Sequence, residues 1–314
     1  MAQLNPRTNV WKAAEPAARS GRIAVDDAGH EVAYSEWGEG DRVILGLHGG
    51  PGLDHRYIQR LADLADADLR VVLYDQLGGG ESDRPDDPGL WQIDRFVDEL
   101  TRVREHLGLE RVHLFGQSWG GWLALQSVLD GATGIESLIL SNTSASIPET
   151  FKGMTRLRTE VGAADYGTLM ASEGRGDLED PTYVDIVDML YATHLRRSIP
   201  FEPELSLREY RALAKPILET GDAFYEMWGP HEFLCTGNLA QWDVTDRLAE
   251  IRLPTLILSA LYDHLVIPLQ EAMAEGIEGS ELLIFGRSSH LTILEGEADA
   301  YLAAIRHFID VQAD

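Results

Sequence analysis

The sequence predicts an α/β fold: a mostly parallel sheet covered by helices on both faces, with a helical segment inserted late in the chain. Three observations carry this. Short apolar runs alternate with amphipathic helical stretches from residue 42 to about 145. That rhythm stops between roughly 146 and 242. It returns at "LPTLILSA" (253–260) and continues to the end.

The elements follow in order. "GRIAVDDAGHEVAYSEWGEG" (21–40) alternates apolar and polar residues on either side of Asp27-Ala28-Gly29, the pattern of a hairpin. "RVILGLHGG" (42–50) is a short buried strand ending in glycines. The stretch 57–69, "YIQRLADLADADL", suits a helix, and "RVVLYDQ" (70–76) a second buried strand. Helical spacing of Ile93, Phe96, Val97, Leu100, Val103 and Leu107 predicts a helix over 93–109, stopped by Gly108. A strand at 111–116, a helix at 120–131 and a strand at 135–142 complete the first part. Amphipathic, acidic, aromatic-containing segments fill 146–242 without a clear buried strand. After "LPTLILSA" come a strand at 281–286 and a closing helix at 297–310. The expected division is a core of 1–145 and 243–314, with a helical cap at 146–242.

The 314 residues are 44% hydrophobic, enough for one large core. The net charge is −26, with three lysines (Lys12, Lys152, Lys215), which excludes nucleic acid and anionic membranes as partners. The acidity keeps the chain in solution or suits a salty habitat. One cysteine, Cys235, permits no intramolecular disulfide and reads as a packing residue. The first 21 residues lack a continuous apolar stretch of the kind that directs secretion, and no run approaches ~18 apolar residues. The expected location is therefore cytoplasmic. No C-x-x-C, H-E-x-x-H or P-loop pattern occurs, so neither metal nor cofactor is expected.

Chemistry concentrates at Gly116-Gln117-Ser118-Trp119-Gly120, a G-x-S-x-G pentapeptide between a predicted strand and a predicted helix. There a serine sits on a tight, strained turn that lifts its hydroxyl above the sheet. Flanking glycines avoid backbone collisions. A serine hydroxyl is a poor nucleophile at neutral pH. It needs a base, and the base needs an orienting acid. In the order Ser, acid, His, the candidates are Asp263, just past "TLILSA", and His290, just past "LLIFG". Both fall at carboxyl ends of strands, where open α/β sheets place their sites. His106, on a helix, and His113, inside a strand, are rivals; His264, beside the acid, competes for some role. "LHGGPG" (47–52) follows the first buried strand of the α/β core, and the N–H groups of Gly50 and Trp119 are the candidate oxyanion donors. His48 is expected to brace that loop. Asp75, just past the second buried strand, is expected to scaffold its own.

The combination of "HGGPG" (48–52), "YDQLGGGESDRPDD" (74–87), "GQSWGG" (116–121) and "WGPHEF" (228–233) resembles the proline iminopeptidases, especially the branch containing the tricorn-interacting aminopeptidase and related amino-acid amidases. The similarity runs from about residue 22 to the C-terminus. It implies an α/β-hydrolase core with a helical cap, and a serine hydrolase that removes N-terminal residues, often proline, from peptides. Ser118, Asp263 and His290 fall on the family's triad positions. The G-P-x-E-F motif of the cap implies that Glu232 binds the substrate's free α-amine, with Phe233, Trp228 and Trp119 as apolar walls. Glu173, Glu202 and Glu204 are further carboxylates of the cap. Tricorn-interacting members commonly carry a second glutamate after the triad aspartate; here that position is His264. An imidazole cannot replace a carboxylate as an ammonium ligand, so small amino-acid amides, esters and other acyl substrates stay open. Epoxide hydrolases and haloalkane dehalogenases need an aspartate at position 118 and are excluded; esterases, lactonases, cofactor-free haloperoxidases and a non-catalytic hydrolase-fold receptor are the remaining alternatives.

Overall fold

A computed structural model describes residues 16–197 and 221–312. Eight strands form one sheet: β1 (Arg19–Ala24), β2 (Glu31–Trp37), β3 (Arg42–Leu47), β4 (Leu69–Tyr74), β5 (Val112–Gln117), β6 (Ile135–Ser141), β7 (Thr255–Ala260) and β8 (Glu281–Phe285). Their spatial order is β1-β2-β4-β3-β5-β6-β7-β8. The hairpin β1–β2 and the β2–β4 pair are antiparallel, and every pair from β4 to β8 is parallel.

The sequence period explains the layers. In β4, Val72 and Tyr74 point to one face and Val71 and Leu73 to the other. The first face packs on α1 (Ile93–Leu107) and α2 (Trp119–Leu129), through Phe96, Leu100, Val103 and Leu123. The second packs on the 3-10 helix His55–Leu64 and on the closing helix α8 (Ala298–Val311), through Ile58, Leu61, Ile305 and Phe308. The central strands β5 and β7 are buried along their whole length, the pattern of parallel strands covered twice. Gly108 ends α1 in a left-handed conformation (φ 64°), as the sequence predicts.

One element differs from the expectation. The helix anticipated over 57–69 is a 3-10 helix that stops at Leu64. The carboxylate of Asp66 accepts from the N–H groups of Asp68 (2.8 Å) and Leu69 (2.9 Å), turning the chain into β4. This local side-chain capture outcompetes helix propagation.

Between β6 and β7 the described residues are helical: α3 (Ile147–Arg158), α4 (Ala163–Arg175), α5 (Pro181–Leu190) continued by a π-turn (Tyr191–Leu195), and α6 (Asp222–Met227). Helix α7 (Ile267–Gly276) follows β7. The two ends of this stretch lie side by side. Val244 N–H donates to Ala145 C=O (2.9 Å), Ile147 N–H to Trp242 C=O (2.9 Å), and Ser146 Oγ to Asp243 Oδ2 (2.7 Å). Among the described residues no helix is long and apolar enough to cross a membrane.

β3 and β4 run to one side of the sheet and β5 onward to the other, so a crevice opens where the loops after β3 and β5 diverge. That crevice holds the site.

Candidate active site

Ser118 joins β5 to α2 with φ 55° and ψ −122°, one of two non-glycine residues with positive φ among those described. Such a conformation costs roughly 1–3 kcal/mol and persists only where surroundings enforce it. Two contacts enforce it here: Ser118 N–H donates to Ser141 C=O (3.0 Å), and Thr143 Oγ1 donates to Ser118 C=O (2.8 Å). The flanking glycines are required by close approach. A Cβ at Gly116 would lie 2.3 Å from Gly120 O, and one at Gly120 would lie 2.2 Å from Leu47 O.

The loop after β3 lies over the serine: a Cβ at Gly49 would fall 3.1 Å from Ser118 Cβ. His48 braces it. Its Nε2 accepts from Gln76 N–H (2.9 Å), so Nδ1 carries the proton and donates to Gly49 C=O (2.8 Å). Burial lowers the His48 pKa and keeps the ring neutral. Gln76 binds the same hub: its Nε2 donates to His48 C=O (3.0 Å) and its Oε1 accepts the Trp119 indole N–H (2.6 Å). Asp75 scaffolds the next turn by accepting from His55 N–H (2.8 Å), His55 Nδ1 (2.7 Å) and Glu81 N–H (2.9 Å). Burial alone would raise the Asp75 carboxyl, but these partners, His55 foremost, hold it well below the carboxylate range.

Asp263 follows β7 and is buried. Its Oδ1 accepts from His290 Nδ1 (2.9 Å) and Leu265 N–H (2.9 Å), and its Oδ2 from Asn142 Nδ2 (2.8 Å). Despite its burial, these contacts, His290 foremost, keep the carboxyl below its ordinary value. His290 shows the converse. Burial would lower it, but Asp263 outweighs burial and raises its pKa. With Nδ1–H committed to Asp263, Nε2 is the ring's acceptor. Gln117 Nε2 donates to His290 C=O (3.2 Å), which puts the histidine loop against the residue preceding Ser118.

Three supports escaped the sequence reading. Asn142 (φ 46°) ends β6 and holds the aspartate. Tyr57 Oη accepts from Gly49 N–H and donates to Gln117 Oε1 (2.5 Å), linking the two glycine loops. Buried Glu295 accepts from Ser289 N–H (2.6 Å), Ser289 Oγ (2.5 Å) and Arg197 N–H (2.6 Å), beside His290. The same strap of chain pairs with the histidine loop: His290 N–H donates to His194 C=O (3.2 Å) and Leu291 N–H to Leu195 C=O (3.0 Å). A polar or charged residue just past a strand end is a sequence signal for Asn142; Tyr57 and Glu295 carry none.

Glu232 sits at the tip of a turn closed by Leu234 N–H to His231 C=O (3.0 Å). Its N–H donates to Tyr191 Oη (3.0 Å), and the Trp228 indole N–H donates to the carbonyls of His231 (3.1 Å) and Glu232 (3.2 Å). Trp228 stacks on Trp122 and Trp119 packs edge-on against Phe96, and both rings are buried. Phe233 packs against Tyr191 and His264. The Glu232 carboxyl is pushed up to about 7 by burial, opposed by His290. The nearest basic nitrogen to it among the described residues is His264 Nε2, at 3.9 Å, on a ring that burial keeps uncharged. His264 is buried between Asp263 and His290, its ring 4.2 Å from that of His290, and burial drives its pKa down to about 3. His113 bonds Ser137 Oγ (2.8 Å) inside β5. Glu173 pairs with Arg158, whereas Glu202 and Glu204 lie outside the described residues. Asp263, His264 and His290 also form the one His/Cys/Asp/Glu group among the described residues compact enough for a metal ion. The Asp263–His290 hydrogen bond accounts for the closeness of two of them.

The α/β hydrolase fold family is matched over residues 42–297. A proline iminopeptidase of Saccharolobus solfataricus is 37% identical over 272 residues, 86% of this chain and 85% of that protein. One from Lactobacillus helveticus is 35% identical over 288 residues, 90% of this chain and 95% of that protein. The crystal structure of a Mycobacterium smegmatis proline iminopeptidase superposes with a TM-score of 0.81 at 28% identity, covering 94% of this chain and 100% of the other. Shared sequence over nearly the whole length, on a shared fold, places the chain in the proline iminopeptidase family of α/β hydrolases, and it is a hydrolase.

Proposed function

We propose that the protein releases N-terminal residues, proline or another small apolar residue, from short peptides or amino-acid amides through an acyl-enzyme. One observation carries the substrate reading. A buried carboxylate, Glu232, stands beside the His290–Asp263 pair with no lysine or arginine against it among the described residues. A buried carboxylate without a cation is costly, and a substrate ammonium supplies one.

In this reading Ser118 Oγ attacks the carbonyl carbon while its proton passes to His290 Nε2. Asp263 holds the imidazole and offsets the charge it gains. The N–H groups of Gly50 and Trp119, which have no acceptor among the described residues, receive the oxyanion. His290 then protonates the leaving amine as the C–N bond breaks. Water, deprotonated by the same nitrogen, attacks the acyl carbon; the C–Oγ bond then breaks as His290 returns that proton to Ser118 Oγ, and the carboxylic acid leaves. The stretch 146–242, whose described part is rich in helices, acts as a cap that limits access to small substrates or chain ends. The lone cysteine fits a cytoplasmic location.

His264 favours a second substrate class. It is neutral and offers no second carboxylate, so an amino-acid amide or ester with a short leaving group fits a single ammonium contact. Wild type and Glu232→Ala, each assayed on a prolyl arylamide, its N-acetyl form and a simple ester, test the proposal. Loss confined to the free-amine substrate supports it. Equal turnover of blocked and free forms by wild type overturns it in favour of a general esterase. Absence of both turnover and fluorophosphonate labelling at Ser118 would point to a receptor.

A further inference from the structure

The turn that presents Glu232 is held from outside the crevice by a directed chain of hydrogen bonds. Phe233 N–H donates to His231 Nδ1 (3.2 Å). That nitrogen is therefore unprotonated, and Nε2 carries the hydrogen. Nε2 lies 2.5 Å from Tyr183 Oη, so the ring donates and the phenol oxygen accepts. The phenol hydrogen is left to donate to Glu173 Oε1 (3.2 Å), and Arg158 pairs with the same carboxylate. Each partner comes from a different element: Arg158 ends α3, Glu173 lies on α4 and Tyr183 on α5. The chain thus triangulates one turn against three helices.

The direction of these bonds has a single consistent solution. A protonated His231 would lose the acceptor for Phe233 N–H. Burial, reinforced by Arg158, keeps the ring neutral, with a pKa near 3. None of these hydrogen bonds involves Ser118, Asp263 or His290, and the series ends at the Glu232–Phe233 turn.

We propose that His231 is a positioning residue: bonded through Tyr183 to Glu173, it fixes the Glu232 turn and so sets the selectivity of the site for substrates with a free α-amine. The inference rests on the reading of Glu232 as the amine ligand. A carboxylate displaced by about 1 Å loses its grip on an ammonium while leaving the serine chemistry in place.

The test uses Tyr183→Phe, His231→Ala and His231→Asn, with Glu232→Ala as the reference, on a prolyl arylamide and a simple acyl ester. Tyr183→Phe and His231→Ala should raise KM for the arylamide about tenfold. Their loss in kcat/KM should be about five times larger on the arylamide than on the ester. His231→Asn should recover most of the loss, because Asn Oδ1 can take the place of Nδ1 opposite Phe233 N–H. Equal losses on both substrates, or no loss, overturn the inference. If Glu232→Ala shows an amine-selective loss and the other variants do not, the amine reading stands and the positioning role falls. If Glu232→Ala shows none, the amine reading itself fails. Should His231→Ala not fold, Tyr183→Phe, which removes one oxygen, decides the matter, with a thermal melt confirming its fold.

Discussion

Gln117 hands one hydrogen bond to the carbonyl of His290, 3.2 Å away, while its Oε1 takes another from Tyr57 at 2.5 Å. Tyr57 in turn receives the N–H of Gly49. A single amide, adjacent to Ser118, therefore spans the histidine loop and the glycine loop. Gln117→Ala strands the Tyr57 hydroxyl and a buried carbonyl. Each stranded group costs about 1–3 kcal/mol. The expected result is a loss of that order in a urea melt and a fall in kcat of about tenfold or more. Unchanged kcat in a folded variant would show that the bridge does not hold the two loops.

Ser118, the proposed nucleophile, sits in a strained backbone conformation. Ser118→Gly removes the hydroxyl and relieves a positive φ that glycine adopts freely. Activity and fluorophosphonate labelling should vanish while stability rises by about 1 kcal/mol. A melting temperature below wild type would mean that the serine is not strained.

The pH profile separates two protons. In the proposed chemistry His290 must be neutral to accept from Ser118. Its pKa lies above the ordinary histidine value because Asp263 outweighs burial. Glu232 must be ionised to hold an ammonium, and burial pushes its pKa up to about 7. Both groups gain competence as pH rises. The acid limb of log kcat/KM should approach a slope of two for a free-amine substrate and one for an ester. Glu232→Ala should reduce the first slope to one. Equal slopes in wild type would remove Glu232 from the binding step.

Glu295 predicts a contrast with His231. It clasps Ser289 and the backbone of Arg197, next to His290. Glu295→Ala should lower kcat on arylamide and ester alike, by about tenfold to a hundredfold, because the base itself shifts. An effect confined to the free-amine substrate would assign Glu295 to the cap side of the site.

What the sequence disclosed follows from how local each signal is. Gly116 and Gly120 flank Ser118 because backbone atoms stand within 2.4 Å of where their Cβ would be. That steric demand is written in five consecutive residues. Asp263 and His290 could be named because each follows an apolar strand. Tyr57 and Glu295 could not, because each joins a near neighbour to a distant one, Gln117 for Tyr57 and Arg197 for Glu295, and any polar side chain of similar reach reads alike. The sequence predicts an ordinary helix over 57–69 where the structure has a 3-10 helix at His55–Leu64. Its apolar spacing resembles one, and the turn at Asp66 depends on a carboxylate whose choice of partner no periodicity records.

The adjacency of Ala145–Ile147 and Trp242–Val244 carries a consequence for how such a chain can change. The chain leaves and rejoins the sheet at this one place, so closing its ends costs little more for a long insertion than for a short one. An exposed turn such as Gly176–Asp177 can be lengthened without re-registering β6 against β7, whereas His194–Arg197, paired with the His290 loop, is held to the core. The reacting groups and the groups that choose the reactant can thus diverge at different rates within one molecule.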